Sequence, residues 1–161
     1  MKNIDQSIFR GYDIRGIYPK EINEKSAFLI GQAFVEFLKK TSKKKALNII
    51  VGRDGRLSSP ILSKKLIQGI IERGANVIDI GLSTSPMLYW ATAFYKLDGG
   101  IETSASHNPS QYNGFKLVRE KSIPIGDQTG LRKIKELTQI KLSKSSKKGK
   151  IKKKEILKDY L

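Results

Sequence analysis

The sequence of 161 residues contains no cysteine and a single histidine. The absence of cysteine excludes disulfide bonds, thiolate metal ligands and cysteine nucleophiles. The single histidine argues against a histidine-rich metal site. No apolar run approaches the roughly 20 residues of a membrane-spanning helix, and the first ten residues, MKNIDQSIFR, lack the apolar segment of a secretory signal. We therefore expect a cytoplasmic protein with no membrane partner.

Basic residues outnumber acidic ones by 31 to 15, which gives a formal net charge of +16. Much of the excess lies in residues 141–161, which hold nine Lys against Glu155 and Asp159. Such a run either binds a phosphate backbone or forms a solvated linker. It contains no Arg and only one aromatic residue, whereas nucleic-acid grooves usually combine Arg with stacking rings. We therefore expect a linker, and nucleic acid is not an expected partner.

A strand–loop–helix pattern occurs twice in the first two-thirds of the chain. In each copy a short apolar run ends in glycine, ALNIIVG at 46–52 and NVIDIG at 76–81. A helix then begins near Pro60 or Pro86, because proline at the first helical position sacrifices no hydrogen bond. A repeated strand–loop–helix unit predicts parallel strands joined by right-handed crossovers.

Five further segments have the residue pattern of strands or helices. They are a strand or hairpin at a sheet edge (8–17), a helix (23–39), strands (98–103 and 113–118) and a helix within 123–137. Asn23 is expected to cap the first of these helices and Asp127 the last. The strand at 113–118 follows its predecessor after a short loop, so it is expected to run antiparallel at one edge. The apolar fraction of 39% supports a hydrophobic core. These patterns predict an α/β fold over residues 1–140: a three-layer α/β/α domain with a mixed, mostly parallel sheet of about four strands.

The loop at residues 103–116, TSASHNPSQYNGFK, concentrates polar groups beyond a buried strand. Ser104 and Ser106 lie where open α/β sheets place their functional crevice, outside the carboxyl ends of the strands. His107 follows directly, but adjacent residues of an extended chain point in opposite directions and no G-x-S-x-G motif is present. A Ser-His hydrolase is therefore disfavoured. From the residues alone, a connector whose hydroxyls bind their own backbone remains open.

The second half of this loop contains two further turn signals. Asn108-Pro109 stiffens the chain. Asn113-Gly114 predicts a tight turn, which we expect to bring Lys116 back to the mouth of the same crevice. A hydroxyl, an imidazole and an amine are then expected on one constrained loop.

Two arginines flank Gly55 on the loop between a strand and a helix. Arg53 and Arg56 are placed either to bind an anion at a helix N-terminus or to hold the structure together. The loop lacks the G-K-[ST] ending of a phosphate-binding P-loop. A structural role, or contact with further domains, is therefore the favoured interpretation.

Taken together, the motifs resemble those of the α-D-phosphohexomutases, the phosphomannomutase/phosphoglucomutase family. SASHNP followed by YNGFK is similar to the phosphoserine loop of that family. Four other segments match in the same order along the chain: FRGYDIRG (9–16), VGRDGRLSS (51–59), GLSTSP (81–86) and DQTGLRKIKEL (127–137). The resemblance extends over about residues 8–161 and is to the first, N-terminal domain only of a multidomain enzyme.

The resemblance implies a chemistry for individual residues. Ser106, immediately before His-Asn-Pro, would carry a phosphoryl group and donate it to a hexose monophosphate. The bisphosphorylated sugar would return its other phosphate to Ser106, so that 1-phosphates and 6-phosphates interconvert. Mg²⁺ would bind the phosphoserine, and a hexose 1,6-bisphosphate would serve as activator and intermediate. Arg15 and Lys116 match catalytic and substrate-binding residues, Tyr12 matches a substrate-binding residue, and His107 matches a catalytic-site residue.

Other parts of the family's site have no match in this sequence. These are the magnesium loop of D-G-D-G-D-R type, the sugar-recognition loop and the distal phosphate loop. The end of the chain, EILKDYL (155–161), resembles the beginning of the second domain. The chain alone is therefore expected to be inactive or nearly so, with a phosphosugar and the remaining domains of the same enzyme as its partners. The alternative is a stand-alone module that binds an anion, a phosphosugar or a protein partner without turnover.

Overall fold

A computed structural model describes residues 4–161, so the first three residues of the MKNIDQSIFR segment lie outside the described residues. Within 4–161 the strands are Ile14–Ile17 (β1), Asn48–Arg53 (β2), Asn76–Leu82 (β3), Gly99–Thr103 (β4), Tyr112–Arg119 (β5) and Ile151–Lys153 (β6). The α-helices in the same residues are Glu24–Ser42 (α1), Ser59–Glu72 (α2), Ser85–Phe94 (α3), Leu131–Leu137 (α4) and Leu157–Tyr160 (α5). None of these helices is long and apolar enough to cross a membrane.

The strands form one mixed sheet in the order β1-β5-β4-β2-β3-β6. The pairs β4–β2, β2–β3 and β3–β6 are parallel, whereas β5 runs antiparallel to both β4 and β1. The α/β class and the mostly parallel sheet are confirmed, as is the antiparallel direction of β5. The expected number of about four strands is wrong, because residues 4–161 contain six. β5 is also not an edge strand, since Ile14 of β1 pairs with Phe115.

Helices α1 and α2 cross closely over one face of the sheet. A Cβ atom on Gly31 would lie 2.3 Å from the Leu66 carbonyl oxygen, and one on Gly69 would lie 2.1 Å from that of Phe28. The two backbones therefore touch where each helix presents a glycine to the other. Buried residues of both helices belong to the larger hydrophobic cluster. A smaller cluster, which includes residues of α3, lies on the opposite face of the sheet.

The beginning of α1 agrees with the sequence. The side-chain oxygen of Asn23 accepts a hydrogen bond from the Ser26 N–H at 3.1 Å, and the Ser26 hydroxyl accepts one from the Asn23 N–H at 2.8 Å. This reciprocal capping satisfies two N–H groups that the helix itself leaves without partners.

Asn23→Ala is expected to lower the free energy of unfolding by about 1 kcal/mol, because the Ser26 N–H loses its acceptor. The change is measured by urea denaturation. Lys25→Ala, an exposed substitution in the same turn, is the control and should shift stability by less than about 0.5 kcal/mol. Equal losses in the two variants would contradict a capping role for Asn23.

The beginning of α4 differs from expectation. Asp127 does not cap this helix: its carboxylate accepts a hydrogen bond from Arg132 at 2.7 Å, and Gly130 occupies the N-cap position. The Thr129 hydroxyl instead accepts from the Gly126 N–H at 2.7 Å and closes the short 3₁₀ turn that precedes α4.

The lysine-rich segment at 141–161 contributes to the folded unit. Its strand β6 pairs in parallel with β3, and Ile156 is buried in the cluster that contains Ile50 and Leu88. The sequence shows no apolar alternation here, because β6 is a three-residue edge strand with every side chain exposed. The domain limit at residue 140 and the passage of residues 155–161 into a second domain stay predictions.

Candidate functional site

The loop that joins β4 to β5 is folded by short hydrogen-bonded turns. The Ser104 N–H donates to the Gly114 carbonyl at 2.9 Å, and the Ser106 N–H donates to the Ser104 hydroxyl at 3.0 Å. Both the backbone N–H and the side-chain amide of Asn108 donate to the Ala105 carbonyl. Ser106 is exposed and has a φ of 55°, in the left-handed region that non-glycine residues rarely adopt. The loop thus presents one hydroxyl group at a defined, constrained position.

The Arg56 side chain binds this loop through its backbone carbonyl groups. One terminal nitrogen of its guanidinium donates to the carbonyls of Ser106 and Asn108, at 2.9 and 2.7 Å. The other donates to the carbonyls of Pro109 and Tyr112, at 2.7 and 3.1 Å. Because these donors are taken up by backbone oxygens, Arg56 is a structural residue of the loop and not a free anion-binding group. The structural interpretation of Arg56 is therefore confirmed.

Asp54 connects the Arg56 side chain to the start of α2. One carboxylate oxygen accepts from Nε of Arg56 at 3.2 Å, and the other accepts from the Ser59 hydroxyl at 2.5 Å. The Ser59 hydroxyl in turn accepts from the side-chain amide of Asn113 at 3.0 Å. The loops after β2 and β4 are thus locked together through side chains on three elements.

The turn expected at Asn113-Gly114 is wrong, because both residues lie inside β5. The Asn113 side chain is buried and donates to Ser58 and Ser59 instead of closing a turn. A Cβ atom on Gly114 would lie 2.0 Å from the Ile14 carbonyl oxygen, so the glycine allows β1 to approach β5. The chain reverses earlier, between Ser106 and Gln111.

Arg15 of β1 reaches the same loop. Its guanidinium forms an ion pair with Asp13 at 3.0 Å and donates to the side-chain oxygen of Asn108 at 3.2 Å. The Arg15 side chain is 31% exposed, so it remains accessible to a ligand at the loop. The structure therefore brings Arg15 into contact with Asn108, the second residue after Ser106.

Lys116 occupies the position on β5 directly opposite Glu102 of β4. Residues directly opposite in an antiparallel pair point to the same face of the sheet. Lys116 is half-buried, whereas the Glu102 side chain is completely buried. Both lie near the carboxyl end of β4, where the Ser106 loop begins.

Glu102 is a member of the site that sequence reasoning missed. Burial raises the pKa of its carboxyl group to about 7, and the negative charge of Asp54 acts in the same direction. A hydrogen bond from the Ser83 hydroxyl, at 2.9 Å, and the positive charge of Lys116 oppose the rise. The available signal was an acidic residue inside the otherwise apolar strand GGIET.

His107 and Tyr12 are less closely integrated. His107 is exposed beside Ser106, and the Tyr12 ring is 91% exposed. A ring exposed to this extent contributes little to the packing of the loop. Their proposed contacts with substrate therefore stay predictions.

The surroundings of Ser106 do not contain a complete metal site. Residues 4–161 include no group of three or more His, Cys, Asp or Glu side chains placed to hold a metal ion. A cavity of about 810 Å³ lies elsewhere, between α2 and β6. Its lining includes Ile67 and Ile151 but not Ser106.

Comparisons with known proteins agree with this fold. Residues 6–144 match the family profile described as phosphoglucomutase/phosphomannomutase, alpha/beta/alpha domain I. The chain is 48% identical over 131 residues to a phosphomannomutase of Klebsiella pneumoniae, a match that covers 81% of this chain and 80% of that protein. An Escherichia coli phosphomannomutase is also 48% identical over 131 residues, but the match covers only 27% of its length.

A solved structure shows the same relation. The crystal structure of a phosphoglucomutase/phosphomannomutase family protein from Burkholderia thailandensis matches with a TM-score of 0.84 and 32% sequence identity. The match covers 98% of this chain and 35% of that chain. The chain thus spans only about a third of that protein and about a quarter of the E. coli relative. It belongs to the phosphoglucomutase/phosphomannomutase family, of which it contains the α/β/α domain I.

Proposed function

We propose that this chain provides the phosphoserine of a phosphohexomutase, with Ser106 as the residue that carries the phosphoryl group. The observation that carries the proposal is the presentation of the Ser106 hydroxyl. It is exposed and sits on a loop that Arg56 holds through four backbone carbonyls. Phosphoryl transfer depends mainly on positioning and positive charge, so a rigidly held serine suits the reaction.

In the proposed reaction the bond between phosphorus and Oγ of Ser106 breaks as a bond forms between phosphorus and a hydroxyl oxygen of a hexose monophosphate. The attacking hydroxyl loses its proton to a base, for which Lys116 is the candidate, and the departing Ser106 oxygen takes up a proton and becomes a hydroxyl again. The resulting hexose 1,6-bisphosphate reverses its orientation in the site and transfers its other phosphoryl group to Ser106. Arg15 and Lys116 stabilise the phosphate charges, and Tyr12 and His107 make polar contacts with the sugar phosphate.

Magnesium belongs to the proposed function of the longer protein. An oxygen of the phosphoryl group on Ser106 would be one of its ligands, and Mg²⁺ would neutralise charge on the transferring group. Asp54 does not offer a free carboxylate for the ion, since Arg56 and Ser59 already bind it. The remaining ligands are expected in the second domain, and the isolated chain should be inactive or nearly so.

The proposal is tested by incubating the longer protein, which contains the other domains, with ³²P-labelled glucose 1,6-bisphosphate and Mg²⁺, and by mapping the labelled peptide. Label is expected on Ser106, and Ser106→Ala should take up none, while the control Ser104→Ala keeps the acceptor hydroxyl. In the longer protein, Ser106→Ala should retain less than about 0.1% of mutase turnover, as expected for loss of a covalent nucleophile.

Two results would overturn the assignment. One is equal labelling of the longer protein and of its Ser106→Ala variant. The other is near-normal turnover of Ser106→Ala in the longer protein. Saturable binding of a phosphosugar to the chain, with no label on Ser106 in either protein, would favour the module that binds without turnover.

A further inference from the structure

The side chain of Asn108 joins two parts of the site that lie on different elements. Its oxygen Oδ1 accepts a hydrogen bond from Nη1 of Arg15 at 3.2 Å. Its nitrogen Nδ2 donates to the Ala105 carbonyl at 2.7 Å. One half-buried amide group therefore connects the arginine of β1 with the residue that directly precedes Ser106.

The chemistry of these two partners favours an amide at this position. A guanidinium group only donates hydrogen bonds, and a carbonyl oxygen only accepts them. The Asn108 amide offers an acceptor to the first and a donor to the second. An aspartate would place a carboxylate oxygen against the Ala105 carbonyl, and an aliphatic side chain would bind neither partner.

The backbone of Asn108 belongs to the turn that carries Ser106. Its N–H donates to the Ala105 carbonyl at 3.1 Å, and its carbonyl accepts from Nη2 of Arg56 at 2.7 Å. Ser106 lies inside this turn and has a φ of 55°. Asn108 is therefore held at a defined position relative to Ser106 by contacts that do not involve Arg15.

The guanidinium group of Arg15 is bound at two of its three nitrogens. Nη2 donates to both carboxylate oxygens of Asp13, at 3.0 and 3.3 Å, whereas Nη1 donates to Asn108. The Asp13 carboxylate offsets the positive charge of Arg15, but the Asn108 amide is neutral and orients the group without reducing that charge. Because the two contacts hold different nitrogens, together they oppose rotation of the planar group about its Nε–Cζ bond.

We propose that Asn108 is a positioning residue that acts through Arg15: its side chain holds the guanidinium group in place relative to the turn that carries Ser106. Arg15 then meets the phosphoryl group on Ser106 without having to reorient. The inference rests on the proposed function, because the placement of Arg15 matters only if Ser106 carries a phosphoryl group. Displacement of a positioned charge slows a reaction even where the reacting groups are unchanged.

The orientation of Arg15 is measured by NMR on the chain with ¹⁵N-labelled arginine side chains. In the wild type, slow rotation about Nε–Cζ should give separate Arg15 signals for Nη1 and Nη2. Asn108→Ala should speed the rotation and merge the signals, because only the Asp13 contact remains. The control Ser110→Ala, an exposed substitution in the same loop, should keep two signals. Two unchanged signals in Asn108→Ala would overturn the proposal.

Asn108→Ser separates the two hydrogen bonds of the amide. A serine hydroxyl can still donate to the Ala105 carbonyl, but it is too short to replace Oδ1 at Arg15. The Arg15 signals should therefore merge as in Asn108→Ala, while less stability is lost in urea. This variant also serves if Asn108→Ala does not fold. Recovery of both Arg15 signals in Asn108→Ser would contradict the proposal, since the turn alone would then orient the arginine.

The link to phosphoryl transfer is measured in the longer protein, as the rate at which ³²P passes from labelled glucose 1,6-bisphosphate to Ser106. Asn108→Ala should slow the transfer about tenfold. In a protein that already carries Arg15→Ala, the same change should slow it less than about twofold, because the two residues act as one unit. A residue that only stabilises the turn would cause equal losses in both backgrounds.

The outcomes separate this inference from the proposed function. Label on Ser106 of the wild type, with equal losses in the two backgrounds, would overturn the role of Asn108 alone. Absence of label on the wild type would overturn the proposed function and, with it, the role of Asn108, whatever the NMR signals show.

Discussion

Arg56→Ala should destabilise the chain by about 3 kcal/mol and release the loop that carries Ser106. The substitution leaves four carbonyl oxygens without their donor and leaves the Asp54 carboxylate without its partner. Hydrogen bonds to a charged group contribute about 1.5–3 kcal/mol each, and those at the exposed side of the loop contribute less. The loss is measured as a shift of the midpoint of urea denaturation.

Arg56→Lys should recover little of this loss. A lysine ammonium group has three donors on a flexible stem, whereas the planar guanidinium directs five donors in fixed directions. Labelling of Ser106 by hexose 1,6-bisphosphate should fall in both variants even where they are fully folded, because the serine is no longer held in its left-handed conformation.

Arg53→Ala is the matched control, because Arg53 is the last residue of β2, three positions before Arg56, and its side chain makes only a long contact of 3.5 Å with the Asp54 carbonyl. It should cost less than about 1 kcal/mol. Equal effects of Arg53→Ala and Arg56→Ala would show that the carbonyl contacts of Arg56 do not hold the loop.

The stability of the chain should fall as the pH rises from about 4.5 to 8, by about 3 kcal/mol from Glu102 alone. The pKa of Glu102 is about 7 in the folded chain and close to its ordinary value of 4.5 in the unfolded chain. Between these values the folded chain binds more protons than the unfolded chain, so the free energy of unfolding decreases with increasing pH. A difference of about two and a half pKa units corresponds to about 3 kcal/mol.

Comparison with Glu102→Gln isolates this contribution. Urea denaturation at pH 5 and pH 8 should show a loss in the wild type that is about 2.5 kcal/mol larger than in the variant. Other groups contribute equally to both proteins, including Asp5, whose pKa is lowered by hydrogen bonds from Ser7. The control Glu155→Gln should follow the wild type. Parallel behaviour of the wild type and Glu102→Gln would show that Glu102 is ionised normally in the folded chain.

Local sequence determined the elements and the position of the loop. Asn23 caps α1 as its side chain predicts, and Ser-Pro opens both α2 and α3. These features depend on residues only a few positions apart, whose preferences act wherever the segment lies. The resemblance of SASHNP and YNGFK to a known loop identified the family and the serine that is expected to carry the phosphoryl group.

Tertiary structure decided which side chains meet at that loop. Arg56 reaches carbonyl groups that lie 50 to 56 residues further along the chain. Asn-Gly favours a turn, but Asn113 lies in a strand, where its side-chain amide donates hydrogen bonds to the Ser58 and Ser59 hydroxyls. Strand β6 exists because β3 offers an unpaired edge, which no pattern of lysines predicts.

Glu102 shows most clearly which features the sequence determines and which depend on the tertiary structure. The sequence determined only that an acidic residue lies within a buried strand. Its depth, the space over Gly52, the Ser83 hydroxyl and the opposing Lys116 come from four strands that pair far apart in sequence. Burial and nearby charge set the ionisation of a carboxyl group, and both arise only once the sheet has formed.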